Sequence, residues 1–324
     1  MQVALEKIVV LGTGGTIAGL AGKPSDSSNY LAAQKPVADL LGGLPAPAGC
    51  EVSSEQVAQI DSKDMDLAVW QQLLLRCQHW LAQPQVRGLV ITHGTDTLEE
   101  TAYLLQAVLA PAKPVVLTCA MRPANAPDAD GPRNLRDALT VAASAGAQGV
   151  TVVCAGEIHG ALEVQKVHTS RLDAFASGES GPLGRIGPGG LQLTGEWPAR
   201  APAWPAADVT ALTQLPAWPR VEIVLSHALA SGAVVEALID EDLTRRLGVA
   251  PVQGLVVAGT GNGTLHHALQ AALRRASALG VRVVRASRCA AGRVIPTGRD
   301  EFPDSQGLSP VKARVALMLA LVRA

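Results

Sequence analysis

Short apolar runs alternate with helix-like patterns along most of the chain. The runs are rich in β-branched residues, which is typical of strands buried on both faces of a sheet. In the first half, the strand-like runs and the helices that follow them are 8–11, 88–92 with 98–109, 114–118 with 134–145, and 149–154. This alternation predicts an α/β fold of parallel βαβ units in a doubly wound sheet, whose functional loops follow the carboxyl ends of strands.

The pattern lapses between residues 182 and 219, where glycine, proline and alanine dominate and neither a period of 2 nor one of 3.6 persists. The alternation then resumes at 221–225, 233–239, 254–258, 265–278 and 281–285, before a last helix at 310–322. We therefore predict two doubly wound α/β domains: a larger, mainly parallel N-terminal domain at 1–195, a linker at 196–217 and a smaller C-terminal domain at 218–324.

Composition narrows the function classes. The chain has 27 Lys and Arg against 28 Asp and Glu, so its net charge of -1 gives no electrostatic reason to bind nucleic acid or an anionic membrane. No segment reaches the ~20 unbroken apolar residues of a membrane span. Charged residues make up 17%, below the ~25% typical of soluble domains, which favours burial of some surface in subunit contacts. We expect a homo-oligomer without nucleic-acid or membrane partners.

The cysteine content favours a protein of a reducing compartment, and the histidine spacing argues against a metal site. The cysteines are odd in number and form no Cys-x-x-Cys pair: they are Cys50, Cys77, Cys119, Cys154 and Cys289. The histidines lack zinc-ligand spacing, so neither a metal nor a cofactor is expected. The apolar stretch 8–21 after Lys7 is interrupted by glycines and threonines, which disfavours a signal peptide. We predict a cytoplasmic protein.

Candidate chemistry begins in the loop after the first strand, residues 12–19 (GTGGTIAG). Its glycines allow close backbone approach and leave N–H groups free to face a ligand. Phosphate binding fits poorly, because a Gly-x-Gly-x-x-Gly motif would need glycine at Ile17 and no Gly-Lys-Ser/Thr follows. The Thr13 hydroxyl could be a nucleophile beside an oxyanion hole, and a plain tight turn is the alternative.

The loop after the second strand also carries polar side chains. Thr97-x-x-Glu100 before an apolar helix predicts a capping box. This leaves Thr95 and Asp96, a hydroxyl beside a carboxylate, which form a catalytic dyad if a base is near. Lys166 is a candidate base, although it must first lose its proton through desolvation or cationic neighbours. An ordinary surface lysine is the alternative.

Together and in this order, these motifs resemble the bacterial L-asparaginase family, the threonine-dependent amidohydrolases also called asparaginase/glutaminases. The matching segments, which span nearly the whole chain, are 13–19 (TGGTIAG), 61–65 (DSKDM), 92–97 (THGTDT) with 99–102 (EETA), 120–123 (AMRP) with 129–132 (ADGP), 259–263 (GTGNG) and 309–314 (SPVKAR). The resemblance implies hydrolysis of L-asparagine to L-aspartate and ammonia, with glutaminase activity as a weaker side reaction.

The resemblance also implies roles for the catalytic residues. Thr13 would attack the amide to form an acyl-enzyme, with backbone N–H groups holding the oxyanion, and water would then release aspartate. Thr95, Lys166 and Asp96 would relay protons or activate water. Tyr30 matches the tyrosine of the family's mobile lid, which polarises Thr13. Which threonine attacks first stays open, as does a solvated loop position for Tyr30.

Substrate contacts follow from the zwitterionic form of free asparagine, whose ammonium needs a carboxylate and whose carboxylate needs donors. Asp96 matches the family's ammonium partner and Ser62 its carboxylate partner. Ala120 would line the pocket near the amide. Lys63 stands where better-known members often carry Gln, which could shift the balance of asparagine over glutamine.

The resemblance further implies a site shared between subunits. Asn262 matches a residue contributed across the interface, although Gly-Asn-Gly is also an ordinary turn. Periplasmic members send a Glu from a neighbouring subunit into the site; here 287–309 does not align securely with that stretch, and Glu301 is the candidate. A shared site implies at least a dimer, and the family suggests a homotetramer built from dimers.

Two other functions are compatible with this core. One is the ammonia-supplying amidotransferase subunit of archaeal glutamyl-tRNA pathways, but the balanced charge does not suggest a tRNA-facing surface. The other is a protein that only binds amino-acid amides. Binding alone needs neither Lys166 nor a second hydroxyl, so the residues favour the enzyme.

Overall fold

The structure is a computed structural model that describes residues 5–26, 28–198 and 204–324. It divides into two compact units, Met1–Leu215 and Pro216–Ala324. In the first unit the helices are α1 (Val37–Leu40), α2 (Leu67–Leu81), α3 (Leu98–Leu109), α4 (Gly131–Ala143) and α5 (Ala206–Gln214).

The first unit contains one large, mainly parallel sheet. Its strands and those of two short hairpins are β1 (Glu6–Gly14), β2 (Leu20–Ala21), β3 (Tyr30–Leu31), β4 (Cys50–Ile60), β5 (Val86–Thr92), β6 (Val115–Thr118), β7 (Val150–Cys154), β8 (Glu157–Gly160), β9 (Gln165–Lys166), β10 (Phe175–Ala176), β11 (Gly184–Gly187) and β12 (Gly190–Leu193). The order across the sheet is β12-β11-β8-β7-β6-β5-β1-β4, while β2 pairs with β3 and β9 with β10. The strands from β4 to β7 in this order are parallel, and β8, β11 and β12 extend the sheet antiparallel.

Continuous apolar sequence places β1 and β5 in the middle of this sheet. Residues 8–11 of β1 and 89–91 of β5 are at most 1% exposed, as expected for parallel strands covered on both faces. Leu135 and Leu139 of α4 join residues of both strands in one core cluster. Full burial of each such side chain stabilises the fold by about 1.5–3 kcal/mol.

The second unit is a smaller α/β layer structure. Its parallel three-stranded sheet has the order β13 (Val221–Leu225), β14 (Gly254–Gly259) and β15 (Arg282–Ser287). Its helices are α6 (Ala233–Ile239), α7 (Glu241–Leu247), α8 (His267–Ala278) and α9 (Pro310–Val322).

The predicted fold class is confirmed: a large, mainly parallel sheet is followed by a separate C-terminal α/β unit. The segment predicted as a linker nevertheless includes α5, whose first residue, Ala206, accepts a hydrogen bond at 3.0 Å from Gln78 of α2. Residues 199–203 of that segment lie outside the described part of the chain. The domain limits at 195 and 218 stay a prediction, because a division into compact units does not establish independent folding.

Candidate active site

Three loops meet at the carboxyl edge of the large sheet. They follow β1, β5 and β6, which are neighbours in the sheet, with Gly12 paired to Thr92 and Thr92 paired to Thr118. Because parallel strands end at the same edge, the segments 14–19, 93–97 and 119–123 are brought together, as the sequence predicts.

Glycines allow these loops to touch backbone to backbone. Gly15 has φ +80°, and a Cβ there would lie 2.3 Å from the Cα of Gly94. A Cβ on Gly94 would in turn lie 2.4 Å from the hydroxyl of Ser62. The N–H of Gly15 donates to the carbonyl of Ile60 at 2.8 Å, so it is not free to face a ligand. These glycines serve close packing of the loops.

The two threonines of the first loop have different surroundings. Thr13 belongs to β1, is 2% exposed, and donates its hydroxyl to the carbonyl of Thr92 at 2.9 Å. Thr16 follows the turn and opens a short 3-10 helix; its hydroxyl oxygen lies 2.7 Å from the phenol oxygen of Tyr30. Thr16 therefore carries the hydroxyl that meets the predicted tyrosine, and the motif alone missed it.

Thr95, Asp96 and Lys166 form one hydrogen-bonded group. The Nζ atom of Lys166 lies 2.8 Å from the Thr95 hydroxyl and 2.5 Å from Oδ1 of Asp96, and the Thr95 hydroxyl lies 3.4 Å from the same Oδ1. The Lys166 side chain is 18% exposed. An ordinary surface lysine, the alternative considered from the sequence, would not make these contacts.

Local backbone structure fixes Lys166 in this place. Lys166 pairs with Phe175 in the β9–β10 hairpin, and its N–H donates to a carboxylate oxygen of the buried Glu99 on α3 at 3.2 Å. Glu99 thus ties the lysine strand to the helix that starts directly after Thr95 and Asp96. No spacing in the sequence could indicate this link across 67 residues.

Ser62 lies behind the Asp96 loop. It is 2% exposed, and its hydroxyl oxygen accepts the N–H of Asp96 at 3.2 Å. The Thr97 hydroxyl donates to the Ser62 carbonyl at 2.8 Å and makes no capping bond to α3. The capping-box prediction for Thr97 is therefore wrong, because this hydroxyl holds a neighbouring loop.

Lys63 and Ala120 occupy contrasting positions. The Lys63 side chain is 59% exposed, and its Nζ lies 3.5 Å from an Asp61 carboxylate oxygen and 2.5 Å from one of Asp64. The hydrogen bond that Lys63 donates to the Asp64 carboxylate raises the pKa of Lys63. Ala120 is fully buried.

A polar pocket of about 260 Å³ lies above these loops. Its walls are formed by Thr16, Ser28, Tyr30, Thr95, Asp96, Met121, Arg122, Lys166, Thr169 and Ser170. The pocket unites the Thr16–Tyr30 pair with the Thr95–Asp96–Lys166 group, whereas Thr13, Ser62, Lys63 and Ala120 are not among its lining residues. Two cations and one carboxylate face it, so the pocket suits a small charged or zwitterionic molecule.

The pocket wall after β6 is braced by Asp130. Its carboxylate accepts the N–H groups of Met121 at 3.0 Å and Arg122 at 2.9 Å, and the Asn134 amide donates to it at 3.1 Å. The Arg122 guanidinium donates to the carbonyl of Ser170 at 3.3 Å. Asp130 thus supports the loop after β6, while Arg122 both braces the wall and faces the pocket.

Asn262 and Glu301 both lie in the second unit. The Asn262 amide donates to the carbonyl of Ile295 at 2.9 Å and accepts its N–H at 2.7 Å. Glu301 accepts a hydrogen bond at 2.7 Å from Arg274, which lowers the pKa of Glu301. Within the second unit these contacts close loops.

Two further features concern only the residues that the structure describes. Among the described residues, no cluster of three or more histidine, cysteine, aspartate or glutamate side chains is arranged to hold a metal ion. In the part of the chain that the structure describes, no helix combines the length and apolar character needed to cross a membrane.

Family profiles match nearly the whole chain. The profile "Asparaginase, N-terminal" matches residues 7–198, and the profile "Glutaminase/Asparaginase C-terminal domain" matches residues 220–324. The chain therefore belongs to the asparaginase/glutaminase family.

Individual relatives agree with this assignment. The chain is 37% identical to L-asparaginase 2 of Escherichia coli (strain K12), covering 99% of this chain and 90% of that protein. It is 34% identical to the glutaminase-asparaginase of Pseudomonas fluorescens biotype A, covering 98% and 87%. The structure is also similar to the crystal structure of a "Probable Cytoplasmic L-asparaginase" from Campylobacter jejuni, with a TM-score of 0.86, 35% identity and coverage of 98% and 96%.

Proposed function

We propose that this protein is an L-asparaginase, an amidohydrolase that converts L-asparagine to L-aspartate and ammonia. The observation that carries the proposal is the lysine amine bonded to both a threonine hydroxyl and a carboxylate, in the pocket that also holds the Thr16–Tyr30 pair. The family assignment and the named activities of the relatives support it.

Thr16 is the proposed nucleophile. Its oxygen attacks the amide carbon, the carbon–nitrogen bond breaks, and the hydroxyl proton leaves on the nitrogen as ammonia, so that an ester to Thr16 remains. The Tyr30 phenol at 2.7 Å is placed to relay this proton, accepting it from Thr16 as its own O–H proton passes to the leaving nitrogen, or to stabilise charge on the oxygen. Thr13, which the motif predicts in this role, is held by a backbone carbonyl inside β1.

The Thr95–Lys166–Asp96 group is the proposed proton relay. In its neutral form the Lys166 amine accepts the Thr95 hydroxyl proton, and Thr95 can then take a proton from water. The water oxygen adds to the ester carbon, the bond to Thr16 breaks, and the proton returns to Thr16. Asp96 stabilises the lysine in its charged form across 2.5 Å.

Substrate recognition requires partners for both the ammonium and the carboxylate of the amino acid. The Asp96 carboxylate, 50% exposed, is proposed to bind the substrate ammonium. Roles for Ser62 and Ala120 are proposed through the walls that they support, with Ser62 positioning the Asp96 backbone. Lys63 would have to leave its acidic neighbours to reach a substrate. One extra methylene, as in glutamine, changes transition-state binding by only ~1–3 kcal/mol, so we expect glutaminase activity that is weaker but present.

Assembly and location complete the proposal. A homotetramer built from dimers, with Asn262 serving a neighbouring site, follows from the family resemblance. Cytoplasmic location is supported by the name of the Campylobacter jejuni neighbour and by five free thiols.

The test is ammonia release by purified protein from L-asparagine and from L-glutamine, without added metal or cofactor. We expect release from asparagine well above that from glutamine. Protein with Lys166→Met, purified in parallel, controls for a contaminating host enzyme. Absence of release from both substrates would contradict the proposal.

A further inference from the structure

A buried hydrogen-bond chain runs up to the loop that carries Thr95 and Asp96. The Trp70 indole nitrogen lies 2.9 Å from the Thr101 hydroxyl, which lies 3.0 Å from Nε2 of His93. The other ring nitrogen of His93, Nδ1, lies 2.7 Å from the carbonyl of Gly94. Trp70 is 7% exposed, and Thr101 and His93 are fully buried.

Chemistry fixes the direction of every bond in this chain. An indole N–H can only donate, so the Thr101 oxygen is the acceptor from Trp70. At its other end the chain meets the Gly94 carbonyl, which can only accept, so Nδ1 of His93 carries a proton. Burial lowers the pKa of His93 to about 4, so the ring is neutral and its Nε2 must accept. The remaining proton, on Thr101, therefore points at Nε2.

The orientation of the Gly94 carbonyl is coupled to the position of Thr95, because the two belong to the same peptide unit. Gly94 packs against Gly15 and Ser62 without room for a Cβ, and it directly precedes Thr95. The His93 N–H also donates to the Thr118 carbonyl at 2.9 Å, which anchors the residue to β6. Rotation of the 94–95 peptide is thus resisted by the His93 ring on one side and by neighbouring loops on the other.

We propose that Thr101 and His93 are positioning residues for amide hydrolysis, which hold the Gly94 carbonyl so that the Thr95 hydroxyl faces Lys166. The inference rests on the proposed function of that group. Neither Thr101 nor His93 touches substrate; they act through the peptide between Gly94 and Thr95. His93 and Thr101 both lie in segments that resemble the family, 92–97 and 99–102, but the sequence gives neither of them a catalytic role.

The experiment compares substitutions that keep or remove the proton at position 101. Thr101→Val removes the hydroxyl at nearly constant volume and should lower kcat for asparagine by about 10-fold to 100-fold, since small misplacements of reacting groups have effects of this size. KM should change little. Thr101→Ser keeps the hydroxyl and should retain most of kcat.

A matched control is Thr151→Val in β7. Thr151 is 1% exposed, and its hydroxyl has no hydrogen-bond partner among the described residues. Its replacement should leave kcat unchanged. Wild-type kcat in the Thr101→Val protein would overturn the proposal, as would equal losses in the Val and Ser variants at position 101.

A second readout depends neither on turnover nor on the stability of the Thr101→Val protein. Selective ¹⁵N labelling of histidine should give a neutral His93 ring at pH 7 with the proton on Nδ1. Burial also lowers the pKa of His159 to about 4, so the His93 signal is the one that fails to titrate above about pH 5 and remains in the His159→Gln protein. A proton on Nε2, or a charged ring, would overturn the chain as described. A wild-type protein that releases no ammonia would instead contradict the proposed function, whatever the tautomer.

Discussion

The hydroxyl of Thr16 lies 2.7 Å from the phenol oxygen of Tyr30. Tyr30 stands in the β2–β3 hairpin and both residues line the pocket that contains Lys166. A threonine hydroxyl is a weak nucleophile unless a neighbouring group accepts its proton. In the proposed mechanism, the β2–β3 hairpin therefore places the Tyr30 phenol beside the attacking oxygen.

Removal of the phenol should slow acyl-enzyme formation. Tyr30→Phe keeps the ring and loses the hydrogen bond to Thr16, so kcat should fall by about 10². The chain has only one other tyrosine, Tyr103, which is buried in α3 and is not a lining residue of the pocket, so Tyr103→Phe is the matched control. Steady-state ammonia release measures both. Equal activity of the two variants would remove Tyr30 from the mechanism.

Loss of the lysine amine should stop the proton relay. Lys166→Met should lower turnover on the order of 10³-fold at every pH, because no other group then receives the Thr95 proton. Lys113 is a useful control, since its Nζ donates to the Gln83 carbonyl at 2.7 Å and Lys113→Met should leave turnover intact. A pH-rate profile of wild-type height in the Lys166→Met protein would return this residue to a surface role.

Asn125 should set how firmly the Tyr30 hairpin is held. Its side-chain amide accepts the N–H of Ala21 and donates to the Ala21 carbonyl, both at 2.8 Å, and Ala21 pairs with Tyr30. Asn125→Leu removes both hydrogen bonds and should lower kcat about 10-fold. Asn125→Asp keeps the acceptor for the Ala21 N–H, so its kcat should lie between those of the wild-type and Asn125→Leu proteins. Pre-steady-state kinetics would locate the loss in acyl-enzyme formation. Unchanged kcat in the Leu variant would contradict this role.

Acid should destabilise the protein through two buried histidines. Burial lowers the pKa of His93 and of His159 to about 4 from a usual value of 6.5. The unfolded chain then binds protons that the folded state does not, so this stability is complete above about pH 6.5 and is lost as the pH falls towards 4. The loss approaches about 1.4 kcal/mol per pH unit for each histidine.

Thermal unfolding at fixed protein concentration measures this effect. Tm should fall between about pH 7 and pH 5, above the range in which most carboxylates titrate. His159→Gln removes one of the two groups and should roughly halve the slope of Tm against pH. The same slope in both proteins would contradict the assignment for His159.

Strong local patterns made much of the fold predictable. The predicted helices at 98–109 and 310–322 coincide with α3 and α9. The apolar residues of α3 recur with helical spacing, and α9 starts at Pro310, a residue that favours the first position of a helix. The long strand β4 was missed, since it lies at the edge of the sheet and carries few apolar residues. Its sequence lacks the continuous apolar run by which the buried strands were found.

The site shows where sequence reasoning stops. The motif around residue 95 identifies Thr95 and Asp96 as candidates, Lys166 is a separate candidate base, and the structure brings the three within hydrogen-bond distance. The sequence of the first loop, residues 12–19, could not distinguish Thr13 from Thr16, because both are threonines beside glycines. The difference arises where β1 ends, which decides which hydroxyl meets a backbone carbonyl and which meets Tyr30.

The most direct measurement is asparagine turnover by the Thr16→Val and Thr13→Val proteins, each checked for folding by thermal unfolding. We predict that Thr16→Val loses activity on the order of 10³-fold or more, because it removes the attacking oxygen. Thr13→Val should lose one buried hydrogen bond, worth about 1 kcal/mol of stability, and keep most of its turnover. An inactive Thr13→Val protein beside an active Thr16→Val protein would contradict the account.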